Sequence, residues 1–84
     1  MHPLRLNDHQ KLAVLMARPD NAQLVRAGAG WGVVWFEKEL PPRERWRSQL
    51  VTRVDPQGRP WGRPEAGGKT RREAVQKLLA EAAL

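Results

Sequence analysis

The sequence predicts an α+β fold, a two-layer domain in which an N-terminal and a C-terminal helix pack on one face of a three- to four-stranded antiparallel sheet. Three observations favour it. A capped helical pattern lies near each end of the chain, the middle alternates in the manner of β-strands, and turn signals separate the alternating segments. The predicted order of elements is α-β-β-β-(β)-α.

The length and the absence of cysteine bound the stability of this fold. A chain of 84 residues indicates a single small domain, residues 1–84, with a thin core. No disulfide or thiolate metal site can supplement that core, which fits a reducing, intracellular setting. The first residues lack a signal core and no apolar run approaches the roughly 18 residues of a membrane span, so we expect a cytoplasmic chain without a membrane partner.

The first helix is predicted over residues 7–18. Asn7 is a typical N-cap, Gln10 can complete a capping box, and Pro19 ends the helix. The helical spacing predicts an inward-facing stripe of Leu12, Leu15 and Met16.

Two strands follow and are predicted to form a hairpin. Residues 23–27 have strand composition, and residues 28–30 make a connection of hairpin length, so the first strand should pair antiparallel with residues 31–36. The second strand is apolar on both sides, because side-chain direction alternates along a strand. One side holds Trp31, Val33 and Trp35, and the other holds Gly32, Val34 and Phe36.

The surplus apolar side of that second strand leaves two interpretations open. Helices on one sheet face cover only one side, so the other side needs further cover or a partner. Tryptophan in a small domain is usually core. The alternative is a protein-interaction face formed by Trp31 and Trp35, and the sequence does not decide which side the helices cover.

The rest of the sheet is predicted to be strongly basic. Residues 40–45 form a charged loop, because its two prolines cannot donate ladder hydrogen bonds. Residues 46–54 predict a third strand with one core-like and one basic side. A turn at residues 55–58 then leads into residues 59–64, which Pro60 and Pro64 restrict to an edge strand.

The last helix is predicted from Thr70, which forms a capping box with Glu73 and continues to the end of the chain. The preceding residues 67–70, Gly-Gly-Lys-Thr, lack the glycine five positions before Gly68 that a phosphate-cradling loop requires. We therefore interpret the glycines as flexible and predict no nucleotide or other cofactor. The apolar stripe of the helix is Ala74, Val75, Leu78, Leu79 and Ala82.

The charge of the chain is concentrated in one segment. The net charge is +6, from 15 Lys and Arg against nine Asp and Glu. Residues 41–72 contain nine basic and three acidic residues, a balance of +6. In the rest of the chain, six basic residues balance six acidic ones. Segregated positive charge of this kind indicates an anionic partner.

The candidate binding residues are the cations of this segment together with one tryptophan. Guanidinium groups neutralise phosphates and exposed indoles stack on bases. Those at the start of the last helix also crowd the positive end of its dipole, which costs stability unless an anion compensates. The predicted set is Arg47, Arg53, Arg59, Trp61, Arg63, Lys69, Arg71 and Arg72.

The helix, three-strand, helix order and residues 67–74, Gly-Gly-Lys-Thr-Arg-Arg-Glu-Ala, resemble the double-stranded-RNA-binding domain. In that family the last helix begins with basic residues that straddle phosphates, so the resemblance implies contacts by Lys69, Arg71 and Arg72. The likeness covers about the last quarter of the chain, and no Gly-Pro-x-x-His loop joins the first two strands. The sequence therefore supports an analogy and not membership.

The sequence contains few residues suited to catalysis. The chain has no cysteine or tyrosine, His2 and His9 are its only histidines, and no triad or dyad spacing is present. We therefore predict that the protein is not an enzyme and that His2, Asp8 and His9 are solvent-exposed rather than metal ligands.

Two functions from different classes remain. The leading hypothesis is a small non-enzymatic module whose basic, Trp- and Arg-bearing surface, residues 41–72, engages nucleic acid or a nucleoprotein complex. The alternative is a protein inhibitor or adaptor of the standalone kind that phages and mobile elements encode, such as an anti-CRISPR-like protein or a host-enzyme inhibitor, acting through protein contacts. Homodimerisation through the surplus apolar face is a third possibility, so a monomer and a dimer are both open.

Overall fold

The computed structural model describes residues 5–55, 60–62 and 65–83, and it confirms the predicted fold class and order of elements. Among the described residues, no helix is long and apolar enough to cross a membrane. The elements are α1 (Asp8–Met16), β1 (Gln23–Ala27), β2 (Gly30–Phe36), a 3-10 turn (Pro42–Glu44), β3 (Trp46–Val54), β4 (Pro60–Gly62), β5 (Ala66–Gly68) and α2 (Arg71–Ala82).

All described strand pairs are antiparallel. β2 lies between β1 and β3, and the register of the hairpin sets Ala27 opposite Gly30 across Gly28, whose φ of 61° only glycine adopts without strain. β4 pairs with the second half of β3, as predicted for the edge strand, although Arg59, Arg63 and Pro64 fall outside the described residues.

β5 was not predicted, because its Ala-Gly-Gly sequence has poor strand propensity. It pairs with residues Trp46 to Ser48 of β3, on the edge opposite β2. Its glycines are required by close approach and not by flexibility. A β-carbon at Gly68 would lie 2.9 Å from the Ala74 nitrogen, so this position fits against α2 only as glycine.

The start of α1 is as predicted, but its buried side is not. Asn7 caps the helix and Gln10 returns a hydrogen bond to the Asn7 backbone, completing the capping box. Val14 is the fully buried residue of the helix, whereas Leu12 is 57% and Met16 76% exposed. The inward stripe predicted from apolar spacing was therefore wrong for these two residues.

The physical reason lies in two cations that replace apolar residues on the inner side of α1. Lys11 and Arg18 lie on the same side of the helix as Val14, at spacings of three and four residues. The Lys11 Nζ lies 4.4 Å from the ring centroid of Trp31, and the Arg18 guanidinium carbon 4.2 Å from that of Trp35. Through their aliphatic stems and cation–π contacts, these two cations pack against the sheet on a side of α1 that the pattern of apolar and polar residues predicts to face solvent.

α2 packs through Ala74 and Leu78, as its apolar stripe predicts, while Leu79 is exposed. The Thr70 hydroxyl accepts a hydrogen bond from the Glu73 nitrogen, as the capping box requires. The reciprocal bond differs, because the Glu73 carboxylate accepts from the Lys69 nitrogen rather than from Thr70.

The two helices lie on opposite faces of the sheet, which corrects the prediction that both cover one face. Val14 of α1 clusters with Val33, Trp35 and Val51. Leu78 of α2 clusters instead with Ala27 and Leu50. Both apolar sides of β2 are thereby buried, one under each helix, and this arrangement accounts for the surplus apolar face.

Candidate nucleic-acid interface

Three cations stand together at the start of α2: Lys69, Arg71 and Arg72 are all exposed. Arg71 is oriented by its Nε, which donates to Gln23 Oε1 at 3.1 Å. Within the part of the chain that the structure describes, the side chains of Lys69 and Arg72 make no hydrogen bond or ion pair. Their charge is therefore presented to solvent at the positive end of the helix dipole.

An aromatic pair lies on the sheet face that α2 covers. Phe36 and Trp46 face each other across β2 and β3 in an edge-to-face contact, with ring centroids 5.2 Å apart. The hydroxyl of Ser48 donates to the Ala74 carbonyl, which places the first turn of α2 over this end of the sheet. Both residues are half-buried.

The basic sheet face predicted around Arg47 is not assembled with the start of α2. Arg47 pairs with Trp35 in the sheet register, and its side chain lies on the α1 side. Its guanidinium is paired with Glu65 rather than exposed. Alternation along β3 therefore separates Arg47 from Lys69, Arg71 and Arg72 by the thickness of the sheet.

The other predicted binding residues are only partly described. Arg53 is exposed on the second half of β3. Arg59, Arg63 and the side chain of Trp61 lie outside the described part of the structure, although the Trp61 backbone pairs with Arg53. The cluster that the structure brings together is thus the start of α2.

The predicted protein-interaction face of Trp31 and Trp35 is covered by α1. Trp35 is fully buried, and its indole nitrogen donates to Glu37 Oε1 at 2.6 Å. Trp31 is half-buried, with Lys11 at 4.4 Å and the Arg26 guanidinium at 4.8 Å from its ring centroid. These tryptophans do not form an exposed apolar face. Exposed large apolar side chains occur instead at Leu12, Met16 and Leu79.

Sequence reasoning missed Arg18, which connects three parts of the fold. Its Nη1 contacts Glu65 Oε2 at 3.2 Å, its Nη2 donates to Gln49 Oε1, and its guanidinium stacks on Trp35. The available signal was the spacing of Lys11, Val14 and Arg18 on one helix side, with the two cations seven residues apart. That spacing predicts partly buried cations only if tryptophan rings are known to face this side of the helix.

The described residues contain no group of three or more His, Cys, Asp or Glu residues that could hold a metal ion. They do present exposed positive charge at the start of α2, which is suited to phosphates.

Comparisons with models of protein families, with curated proteins and with solved structures return no match for this chain.

Proposed function

We propose that this protein is a small, non-enzymatic binding module that engages the phosphate backbone of nucleic acid, alone or in a nucleoprotein complex, through the cations at the start of α2, within the basic segment of residues 41–72. The observation that carries the proposal is the cluster of three exposed cations, Lys69, Arg71 and Arg72, at the start of α2. Arg47, Arg53, Arg59, Trp61 and Arg63 belong to the same basic segment.

The electrostatics of the cluster favour an anion. Like charges in the first turn of a helix repel the positive end of its dipole, so each cation there costs stability in the free protein. Glu73, which accepts from the Lys69 nitrogen, is the acidic residue of that first turn. A phosphate placed among the cations removes the repulsion and receives charge-assisted hydrogen bonds.

The aromatic pair adds a second, sequence-tolerant contact. Phe36 and Trp46 are half-buried on the sheet face that α2 covers, and aromatic residues there can contact a sugar or base while the guanidinium groups bind the backbone. Backbone contacts of this kind fix position without reading sequence. We therefore propose binding with weak sequence preference.

Charge reversal at the start of α2 tests the proposal. In the Arg71→Glu, Arg72→Glu variant, affinity for single- and double-stranded DNA and RNA should fall by at least about tenfold at low salt, since two cations become anions. Fluorescence anisotropy with labelled oligonucleotides measures the change.

The matched control is Arg5→Glu, Arg26→Glu, which alters net charge equally at two exposed arginines away from α2. Its affinity should fall much less than that of the α2 variant. Equal losses in the two variants would mean that only net charge matters, and the absence of binding by the wild-type protein at low salt would refute the proposal.

A second candidate function, the protein inhibitor or adaptor, is favoured by the exposed apolar pair on α1. Leu12 and Met16 are one helical turn apart and both exposed, at 57% and 76%. A complex captured from nuclease-treated bacterial lysate would favour this candidate if the Leu12→Ser, Met16→Ser variant lost it. Loss of the complex on nuclease treatment would instead favour the nucleic-acid proposal.

A further inference from the structure

Two arginines from different elements converge on one carboxylate on the α1 face of the sheet. Arg18 follows the end of α1, and its Nη1 lies 3.2 Å from Glu65 Oε2. Arg47 lies in β3, and its Nη2 is 3.5 Å from Glu65 Oε1. The two oxygens of one carboxylate thus bridge two guanidinium groups.

Each guanidinium is held in place by contacts other than this carboxylate. Arg18 stacks on the fully buried Trp35 at 4.2 Å and donates to Gln49. Arg47 passes over Gly67, where a β-carbon would lie only 2.6 Å from its Nη1. The absence of a side chain at Gly67 makes room for the guanidinium. Arg18 is therefore largely preorganised, which reduces the entropic cost of binding an anion there.

Glu65 does not neutralise the full charge of Arg18 and Arg47, and one of their hydrogen-bond donors has no acceptor in the part of the chain that the structure describes. Two cations share one carboxylate, so the three groups carry a net charge of +1. The Nε of Arg18 is buried and has no hydrogen-bond partner among the described residues. Glu65 is the most exposed of the three, with 35% of its side chain accessible against 17% and 18% for the arginines. The Glu65 side chain can therefore move away from the ion pairs more easily than either arginine can.

We propose that Arg18 and Arg47 form a binding site for a phosphate group and that Glu65 is its intramolecular competitor. A phosphate presents several oxygens to two guanidinium groups, and a dianionic free phosphate or terminal monoester also neutralises both charges, which one carboxylate does not. A backbone diester carries a single charge, so it would compete with Glu65 through its oxygens alone. The shared ligand chemistry is the phosphoryl group, from a free phosphate, a terminal monoester or a backbone diester. This site lies on the sheet face opposite α2, so it is separate from the Lys69, Arg71 and Arg72 cluster.

The test uses inorganic phosphate and the Glu65→Gln variant of the full chain. Glutamine keeps the size of the side chain and removes its charge, so the affinity for phosphate at constant ionic strength should rise roughly tenfold over wild type. The side-chain Nε–Hε resonances of the arginines report the binding by NMR. Glu39→Gln, an exposed carboxylate elsewhere, is the matched control and should leave the affinity unchanged.

A second pair of measurements keeps the proposal testable if Glu65→Gln does not fold. Phosphate should raise the unfolding midpoint of the wild-type protein above that in chloride of equal ionic strength, and Arg47→Ala should reduce the difference. An unchanged wild-type midpoint would overturn the proposal. So would a Glu65→Gln variant that binds phosphate no more tightly than wild type, because Glu65 would then be a structural ion-pair partner only.

The source of the phosphoryl group is distinguished with decathymidylate, with and without a 5′-phosphate. Tighter binding of the phosphorylated form to Glu65→Gln indicates a monoester, and equal gains for both indicate a backbone diester. Because the Nε–Hε resonances of Arg18 and Arg47 and the effect of Glu65→Gln report this site alone, its failure is distinguishable from failure of the proposed nucleic-acid interface.

Discussion

Trp35→Ala is expected to lower the free energy of unfolding by about 3–5 kcal/mol. Trp35 is fully buried and clusters with Val14, Val33 and Val51, so its removal leaves a cavity between α1 and the sheet. Arg18 also loses the ring on which it stacks. A domain of this length has a total stability of about 4–13 kcal/mol, so this loss is a large fraction of it.

Urea denaturation followed by far-ultraviolet circular dichroism measures this effect, because fluorescence would change with the tryptophan itself. The control is Trp31→Ala. Trp31 is half-buried and in contact with Lys11 and Arg26, so its loss should cost clearly less. A smaller loss in Trp35→Ala than in Trp31→Ala would contradict the burial of this face by α1.

Leu78→Ala is expected to destabilise the opposite face by about 2–5 kcal/mol. Leu78 is fully buried against Leu50 and Ala27. It also fills the space above Gly32, where a β-carbon would lie 2.3 Å from Leu78 Cδ2. Gly32→Ala alone should therefore cost about 1–3 kcal/mol through overpacking.

The two substitutions should be non-additive in a double-mutant cycle. Alanine at position 78 vacates the space that a methyl group at position 32 needs, so the double variant should be more stable than the sum of the single effects predicts. Chemical denaturation of all four proteins measures the coupling. Leu79→Ala, at the exposed neighbouring residue, should change stability by only about 0.5 kcal/mol or less. Additive effects would show that Gly32 and Leu78 are not in contact.

The features that the sequence predicted well are those determined by local chemistry. Asn7 and Thr70 cap their helices through hydrogen bonds to residues three positions away, and the hairpin turn depends on Gly28. Such interactions are contained within a few residues, so residue type and spacing are sufficient to predict them.

The features that it missed depend on contacts between distant segments. Which side of α1 is buried depends on the ring surfaces of Trp31 and Trp35, against which Lys11 and Arg18 are better partners than Leu12 and Met16. β5 forms where α2 and β3 approach its glycines closely, and strand propensity, which depends on residue type alone, cannot predict such an approach. Placement of the helices on opposite faces follows from the same long-range packing.

The candidate site shows the same division. The three cations at the start of α2 could be predicted because they flank a recognisable cap, and the structure leaves them exposed. Arg47 belongs to the same basic segment, yet alternation along β3 and the carboxylate of Glu65 give it different surroundings. Charge counted along the chain thus overestimates how many cations share one surface.

The salt dependence of nucleic-acid affinity is the most direct test of the central claim that the start of α2 contacts the phosphate backbone. For double-stranded DNA, each phosphate contact contributes about 0.9 to the slope of log K against log salt concentration. The slope for Arg71→Ala, Arg72→Ala should therefore be shallower than that of wild type by roughly two. A variant slope equal to the wild-type slope would contradict the claim, because the same number of phosphate contacts would remain without these arginines.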